Sequence, residues 1–523
     1  MSLIRKLPVV FSGIEKYADR LPGLDSAHWR DLKAVKHRFR LLLSSIFFIF
    51  SVGIDTEKAY AQAHWQKDAN AGNVSLGSLN DTPVSLGEVI RQVESHHPKI
   101  TGATVERRVA EAKLLEKQGA FDPVFSTSSE FLRYNSTSTP GKAAFAFQNQ
   151  GMAEWTTRSG MKFFAGARSN QGRVKSPLSS TGTVGEFFAG VAMPLLRDRN
   201  VNAKAIAEQQ SAIGINIAET GVVATRFEVV RAASESYWEW VAAKQKLGVN
   251  ENIYEIARTR AGQIAARVAS GDLPPIDSTE AALEVQRRMG NVVKARRDLQ
   301  KAGLKLGLYL WKSNGEPDEV PPPERAPDKF PQPNPLPDFV LKEGLERALN
   351  NNPELQRLEL EQKQTALDER LARNNRRPRV DLYLAPGQDT GFNSVGTTFK
   401  FGAAIELPLR TRTADGQVAA ARLKIEKNDL QQRLVRQTVT TQVNDAAQAV
   451  NAAHDAYLLA LQELELSRTL ERGERQRFAV GDSTLFLVNQ RERATAEAEV
   501  KLIDTQVVYE QALIAFKIVT LRY

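Results

Sequence analysis

The chain of 523 residues is 42% hydrophobic and 25% charged, an ordinary globular composition, and it has no cysteine. Disulfides, thiolate nucleophiles, Cys-ligated metals and a lipid on an N-terminal cysteine are therefore excluded. The net charge of +9 falls to +5 beyond residue 61, because ten Lys/Arg and six Asp/Glu lie in residues 1–61, and so mild a balance predicts no nucleic-acid partner.

From Lys36 the chain reads KHRFRLLLSSIFFIFSVGI and then DTEKAYAQA: a basic stretch, a 14-residue apolar run from Leu41 to Ile54, and small residues at Ala59, Ala61 and Ala63. That layout is a secretory signal, so residues 1–63 are expected to be a leader and signal peptide that is removed. A membrane helix needs about 20 apolar residues; a retained anchor is the alternative. No second apolar run of 18 residues follows, so the mature protein is not expected to be a helical membrane protein.

Two stretches, ESHHPKI (Glu94 to Ile100) and LNNNPEL (Leu349 to Leu355), align at an offset of 255 that also pairs Leu86 with Leu341, Glu88 with Glu343 and Pro123 with Pro378. The chain therefore reads as an internal duplication. Repeat one spans 84–311, repeat two spans 339–523, and residues 312–338 form a linker with nine prolines between Pro317 and Pro337, expected to run extended. In the second copy Asn352, Pro353 and Glu354 make a helix start: an N-cap, a first-turn proline and an acid at the positive end. His96 and His97 then belong to a turn between helices, and a metal site is the weaker reading.

Within each repeat a helix follows the proline, from Pro98 to about Gln118 and from Pro353 to about Asn374. Strands come next. Val395 to Leu407 alternates with period two, and Val380 to Ala385 is its expected partner. Phe121 to Tyr134 and Glu186 to Leu196 hold the corresponding places in repeat one, which suggests four strands. The strand region of repeat one is longer, 71 residues from Pro123 to Pro194 against 30 from Pro378 to Pro408. The excess, which includes an alternating run from Trp155 to Arg168, is either a further hairpin or a long loop.

After Pro194 and Pro408 come about 70 proline-free residues, a helix of roughly 105 Å. The second carries a heptad-like seam: Val439, Val443, Ala446, Val450, Ala453, Tyr457, Leu461 and Leu464. The first carries Val223, Phe227, Val230, Tyr237 and Val241. Turns at Ala269–Asp277 and Ala479–Leu487 each precede a returning helix of about 40 residues. Such helices are too polar for lipid, and four strands cannot close a membrane barrel, so membrane-entering strands would require an oligomer.

The duplicated plan, with its NNPEL helix start, strand pair, proline before a very long helix and glycine turn before a returning helix, resembles the TolC-like outer membrane efflux protein family over roughly Val84 to Tyr523. The resemblance implies an α+β membrane protein: a trimeric transmembrane β-barrel continued by a long α-helical coiled-coil barrel, built from two internal repeats. It implies a homotrimer in the outer membrane of a Gram-negative bacterium, extending into the periplasm. The family's role is that of a passive exit duct in tripartite efflux or type I secretion, in contact with outer-membrane lipid, a periplasmic adaptor and an inner-membrane transporter, without catalysis or cofactor.

By the same resemblance the turns at Gly271, Asp272, Gly481 and Asp482 form the periplasmic tip where the adaptor docks. Family members commonly carry acids six and nine places after the second turn glycine; here those positions are Leu487 and Gln490, a departure that leaves cation selectivity open. The equivalent places in repeat one are Asp277 and Glu280, acids that Arg267, Arg491 or Arg493 could neutralise. Asp277 is also read as a cap of the returning helix. Tyr237, Trp238 and Trp240 read as interhelical packing, and the basic run Arg373 to Arg379 as a position near lipid headgroups. The competing function is a periplasmic coiled-coil adaptor or structural protein whose strands form a small soluble domain.

Overall fold

The computed structural model describes residues 83–135, 141–174 and 179–522. The expected signal peptide lies outside the described residues.

Helix α1 (Leu86–His96) begins with a capping box: Ser85 Oγ accepts the amide of Glu88 at 3.3 Å, and Glu88 Oε2 accepts the amide of Ser85 at 2.9 Å. His97 ends α1 and begins α2 (Pro98–Gln118), its Nδ1 accepting the amide of Lys99 at 3.2 Å. The second half repeats this joint between α5 (Asp338–Asn351) and α6 (Pro353–Asn374), where Asn352 Oδ1 accepts the amides of Glu354 and Leu355 at 2.9 and 3.2 Å. Both joints therefore place a side-chain acceptor before a first-turn proline, which has no amide to satisfy. The histidine pair is part of a helix joint, and the His97 ring stacks on Tyr309 at 5.9 Å.

The sheet has six strands, the four read from the sequence and two more in the segment left open there. Strands β1 (Val124–Asn135), β2 (Ala143–Thr156), β3 (Lys162–Gly172), β4 (Gly185–Pro194), β5 (Arg379–Thr390) and β6 (Thr397–Glu406) pair antiparallel in chain order. The segment left open in the sequence is the β2–β3 hairpin. The expected β5–β6 pairing holds with Val380 opposite Ile405 and Leu384 opposite Phe401. Strand alternation puts Phe125, Phe131, Phe145, Phe147, Phe163, Phe187, Phe399 and Phe401 on one face, all exposed. The opposite face carries Glu130, Gln148, Gln150, Arg168, Glu186, Thr398 and Lys400.

From this sheet run two very long helices, α3 (Ala203–Ala269, 67 residues) and α7 (Arg412–Ala479, 68 residues), each about 100 Å long at the usual rise. Helices α4 (Pro275–Gly307) and α8 (Leu485–Val519) return from their far ends. The element order helix, helix, strands, long helix, returning helix thus occurs in residues 86–307 and again in 338–519. Along α7 the seam residues Val439, Val443, Ala446, Val450, Ala453 and Leu464 are buried, while Leu461 is exposed and Ala460 takes its place. Tyr237, Trp238 and Trp240 are buried in the largest core cluster with residues of α1, α4 and α8.

The proline-rich linker, expected to run extended, lies strapped against the helices. It folds back at a Trp311–Pro317 bridge and packs on the helices: Phe330 stacks on Trp238 at 5.3 Å, Asp318 Oδ2 accepts Gln92 Nε2 at 2.6 Å, and the amide of Asn334 donates to the Tyr509 hydroxyl at 3.1 Å. Prolines remove competing amides, and apolar side chains between them anchor the strap. Among the described residues no helix is long and apolar enough to cross a membrane.

Candidate functional site

At the far ends of the long helices the two turns share one geometry. Gly271 and Gly481 adopt φ of +82° and +83°, a left-handed conformation that glycine enters without steric cost. Gly271 and Asp272 donate their amides to Val268 and Arg267 at 3.1 and 2.9 Å; Gly481 and Asp482 donate theirs to Phe478 and Arg477 at 3.1 and 2.9 Å. Both helices therefore end in the same double closure of their last carbonyls. Asp482 also pairs with Arg477 at 3.1 Å, whereas Asp272 is exposed beside its glycine.

Asp277 does not cap α4. The N-cap is Pro274, which has no side-chain acceptor, and Asp277 sits in the first helical turn, where its charge meets the positive end of the helix. Among the described residues the carboxylates of Asp277 and Glu280 make no hydrogen bond or ion pair, and both side chains are half-buried. Leu487 donates its amide to Thr484 Oγ1, the true cap of α8, and Gln490 is exposed. Of the three arginines expected to neutralise Asp277 and Glu280, namely Arg267, Arg491 and Arg493, the last is engaged elsewhere, donating to Glu284 at 3.0 and 2.7 Å.

That pairing belongs to a charge network that the sequence did not reveal. Glu492 of α8, 2% exposed, accepts from Arg260 of α3, from Arg288 of α4 at 2.9 Å and from Arg475 of α7 at 2.8 Å. Arg288, also 2% exposed, donates to Glu284 at 2.8 Å and to the carbonyl of Ile253 at 2.9 Å; Arg260 reaches Asn489 at 3.2 Å. All four tip helices contribute, so the network binds the hairpin of one half to that of the other. It lies about 10 to 20 Å from the turns, counted along the helices.

Burial alone would raise the Glu492 carboxyl, but hydrogen bonds and charge from Arg260, with Arg288 and Arg475, outweigh it and hold it below the usual carboxylate value. Glu284 is balanced the same way: burial raises it, Arg493 and Arg288 lower it, and the arginines prevail. Both carboxylates are therefore ionised at neutral pH. The i,i+4 spacing of Glu284 and Arg288 was readable from the sequence; their partners, more than 200 residues away, were not.

The comparisons with known proteins accord with this architecture. Residues 344–518 match the family model for outer membrane efflux proteins. The cobalt-zinc-cadmium resistance protein CzcC of Cupriavidus metallidurans is 26% identical over 208 residues, 39% of this chain, and the match spans 47% of the length of that relative. Among solved structures, CusC superposes with a TM-score of 0.63 at 13% identity, covering 86% of this chain and 95% of its own. The outer membrane protein VceC of Vibrio cholerae gives 0.61 at 14% identity over 83% of this chain and 95% of its own. The open-state outer membrane channel MtrE of Neisseria gonorrhoeae gives 0.60 at 14% identity over 86% and 94%. Residues 344–518 thus match the outer membrane efflux protein family model, and the fold of the described chain is similar to that of these outer membrane channels.

Proposed function

We propose that the protein is the outer-membrane channel of a tripartite efflux or type I secretion system, a passive conduit that acts as a homotrimer. The observation that carries this reading is the continuity of a sheet, apolar on one face and polar on the other, with two helical hairpins roughly 100 Å long. An apolar outer face suits lipid, a polar inner face suits a water-filled lumen, and polar helices of that length suit an aqueous compartment beneath the membrane. The two-repeat organisation, with residues 84–311 and 339–523 joined by the strap, supplies two hairpins per subunit.

In this reading the turns at Gly271, Asp272, Gly481 and Asp482 meet a periplasmic adaptor, which hands on cargo from an inner-membrane transporter. Asp277 and Glu280 would line the narrow end as threefold acidic rings, with Leu487 and Gln490 as neutral neighbours. Divalent cobalt, zinc and cadmium are the cargo to test first, on the strength of the sequence likeness to CzcC.

Membrane fractionation and heat-modifiable gel migration test the proposal. A protein recovered with the outer membrane, migrating as a trimer until boiled, supports it. Recovery from the soluble periplasm would remove the channel reading and favour a coiled-coil adaptor. Survival of a null strain on the three metals, with and without the gene restored, then tests the cargo.

A further inference from the structure

The β2–β3 hairpin has no counterpart in the second half, where β5 and β6 alone connect the short helices to the long one. We propose that this hairpin is built into the membrane wall, so that three subunits close a barrel of eighteen strands, six from each, in place of the twelve that two strands per half would give. The inference rests on the trimeric channel proposed above.

The hairpin is held as part of the wall along most of its length. Ser129 and Asn149, Phe131 and Phe147, Met152 and Gly166, and Gly166 and Phe188 are successive partners across the β1 to β4 ladder, which runs without a gap. Its lower turn is wedged against the helices. Arg158 donates to Glu208 of α3 through two bonds of 2.7 Å, and its guanidinium lies 5.1 Å from the Phe121 ring. The carbonyl of Arg158 accepts Asn202 Nδ2 at 2.8 Å, while Asn202 Oδ1 caps α3 through the amide of Ala205 at 2.9 Å. Gly160, at φ +80°, passes so close to Asp198 that a Cβ there would lie 2.1 Å from its carbonyl oxygen.

The hairpin also carries both surfaces that a barrel wall requires. Phe145, Phe147, Trp155 and Phe163 project from one side, between 40 and 55% exposed, in a place where a water-exposed loop would gain nothing from them. On the other side Arg168 donates to Glu186 of β4 at 2.5 Å, and Thr398 of β6 donates to the same carboxylate at 2.5 Å. Gly387 of β5 lies beneath that second bond, and a Cβ there would lie 2.6 Å from Thr398 Oγ1. The polar face is thus stitched from the inserted hairpin to the last strand.

With strands about 4.8 Å apart and tilted about 40°, eighteen strands enclose a backbone circle about 36 Å across, against about 24 Å for twelve. The cross-section roughly doubles.

Electron cryomicroscopy of the full-length protein in lipid nanodiscs counts chains and strands in one map. Three chains and eighteen strands are expected. Three chains with twelve strands, and β2–β3 lying off the wall, overturn the inference and leave the trimer standing; any other number of chains overturns the trimer as well. Because the chain has no cysteine, single substitutions give an independent reading in whole membranes. A water-soluble maleimide should label Gln148→Cys and Gln150→Cys roughly tenfold faster than Phe147→Cys and Phe163→Cys, following the alternation of lumen and lipid faces. Equal labelling at all four positions overturns the placement of the hairpin in the wall.

Discussion

Arg288 on α4 donates its Nη2 to Oε2 of Glu492 on α8 at 2.9 Å, a buried ion pair that ties the returning helix of one half to that of the other. Removing the carboxylate leaves Arg260, Arg288 and Arg475 facing one another without their shared counter-charge. Glu492→Gln should therefore destabilise the chain by about 3–5 kcal/mol, the usual cost of breaking a buried pair from one side. Denaturant unfolding in detergent measures this directly. An unchanged midpoint would show that the network holds position without contributing stability.

The same carboxylates set a response to acid. Glu492 and Glu284 lie below their ordinary value in the folded chain, so their stabilisation is fully present above the unfolded-state value near 4.5 and is lost as pH falls through the lowered folded value. Tip mobility, followed by spin labels at the exposed Ser270→Cys and Val480→Cys just before each turn glycine, should rise below about pH 4.5. Mobility that stays flat as pH falls well below the ordinary carboxylate value would contradict the assignment.

Glu510 on α8 behaves in the opposite sense. Burial raises its carboxyl to about 7, with Lys517 only partly offsetting it, and the Tyr237 ring of α3 lies in its field. A raised carboxylate means that the folded state keeps a proton which the unfolded chain has already lost, so stability falls as pH climbs from about 4.5 to about 7 and stays reduced above that. Glu510→Gln should stabilise by up to about 3 kcal/mol at pH 8 and have little effect at pH 4. Melting curves at the two pH values decide it; a gain of equal size at both would exclude titration as its origin.

Tyr237 reaches across from α3 to donate its hydroxyl to the carbonyl of Val84 at 2.8 Å, inside the largest core cluster. Tyr237→Phe keeps the ring and removes only that bond, which leaves a buried acceptor unpaired at a cost of about 1–3 kcal/mol. Hydrogen exchange in α1 should accelerate in the variant, because Val84 immediately precedes that helix.

Asp277 offers the test of the acidic ring. Asp277→Asn in planar bilayers should reduce preference for cations over anions several-fold, while stability falls by no more than about 1 kcal/mol, the usual worth of a charge at the positive end of a helix. Unchanged selectivity would remove Asp277 from the conduction path.

Local chemistry made much of the fold legible. His97-Pro98 and Asn352-Pro353 announce helix joints because a side-chain acceptor and a missing amide act within a few residues, and the proline-free stretches before Gly271 and Gly481 could only be long helices. The β2–β3 turn was hidden for a similar reason: Thr157 to Met161 interrupts the alternation between Trp155 and Lys162, so two strands read as one ambiguous run. The packing of the strap was not legible, because proline content describes the backbone and says nothing of where Phe330 packs. The Glu492 network lies furthest from view, since Arg260 and Glu492 are 232 residues apart and nothing local distinguishes them from surface charges.

The strap gives the long hairpins a division of labour. At its level the two halves are held mainly by aromatic stacking and by bonds to neutral groups, as between Phe330 and Trp238 or Asn334 and Tyr509, beside the Glu510 carboxyl that burial raises to about 7. Nearer the turns the joining is ionic. The molecule therefore has a fulcrum held by stacking and a mouth held by charge, and any lever acting on those charges will swing the ends of the hairpins about a waist that stays packed.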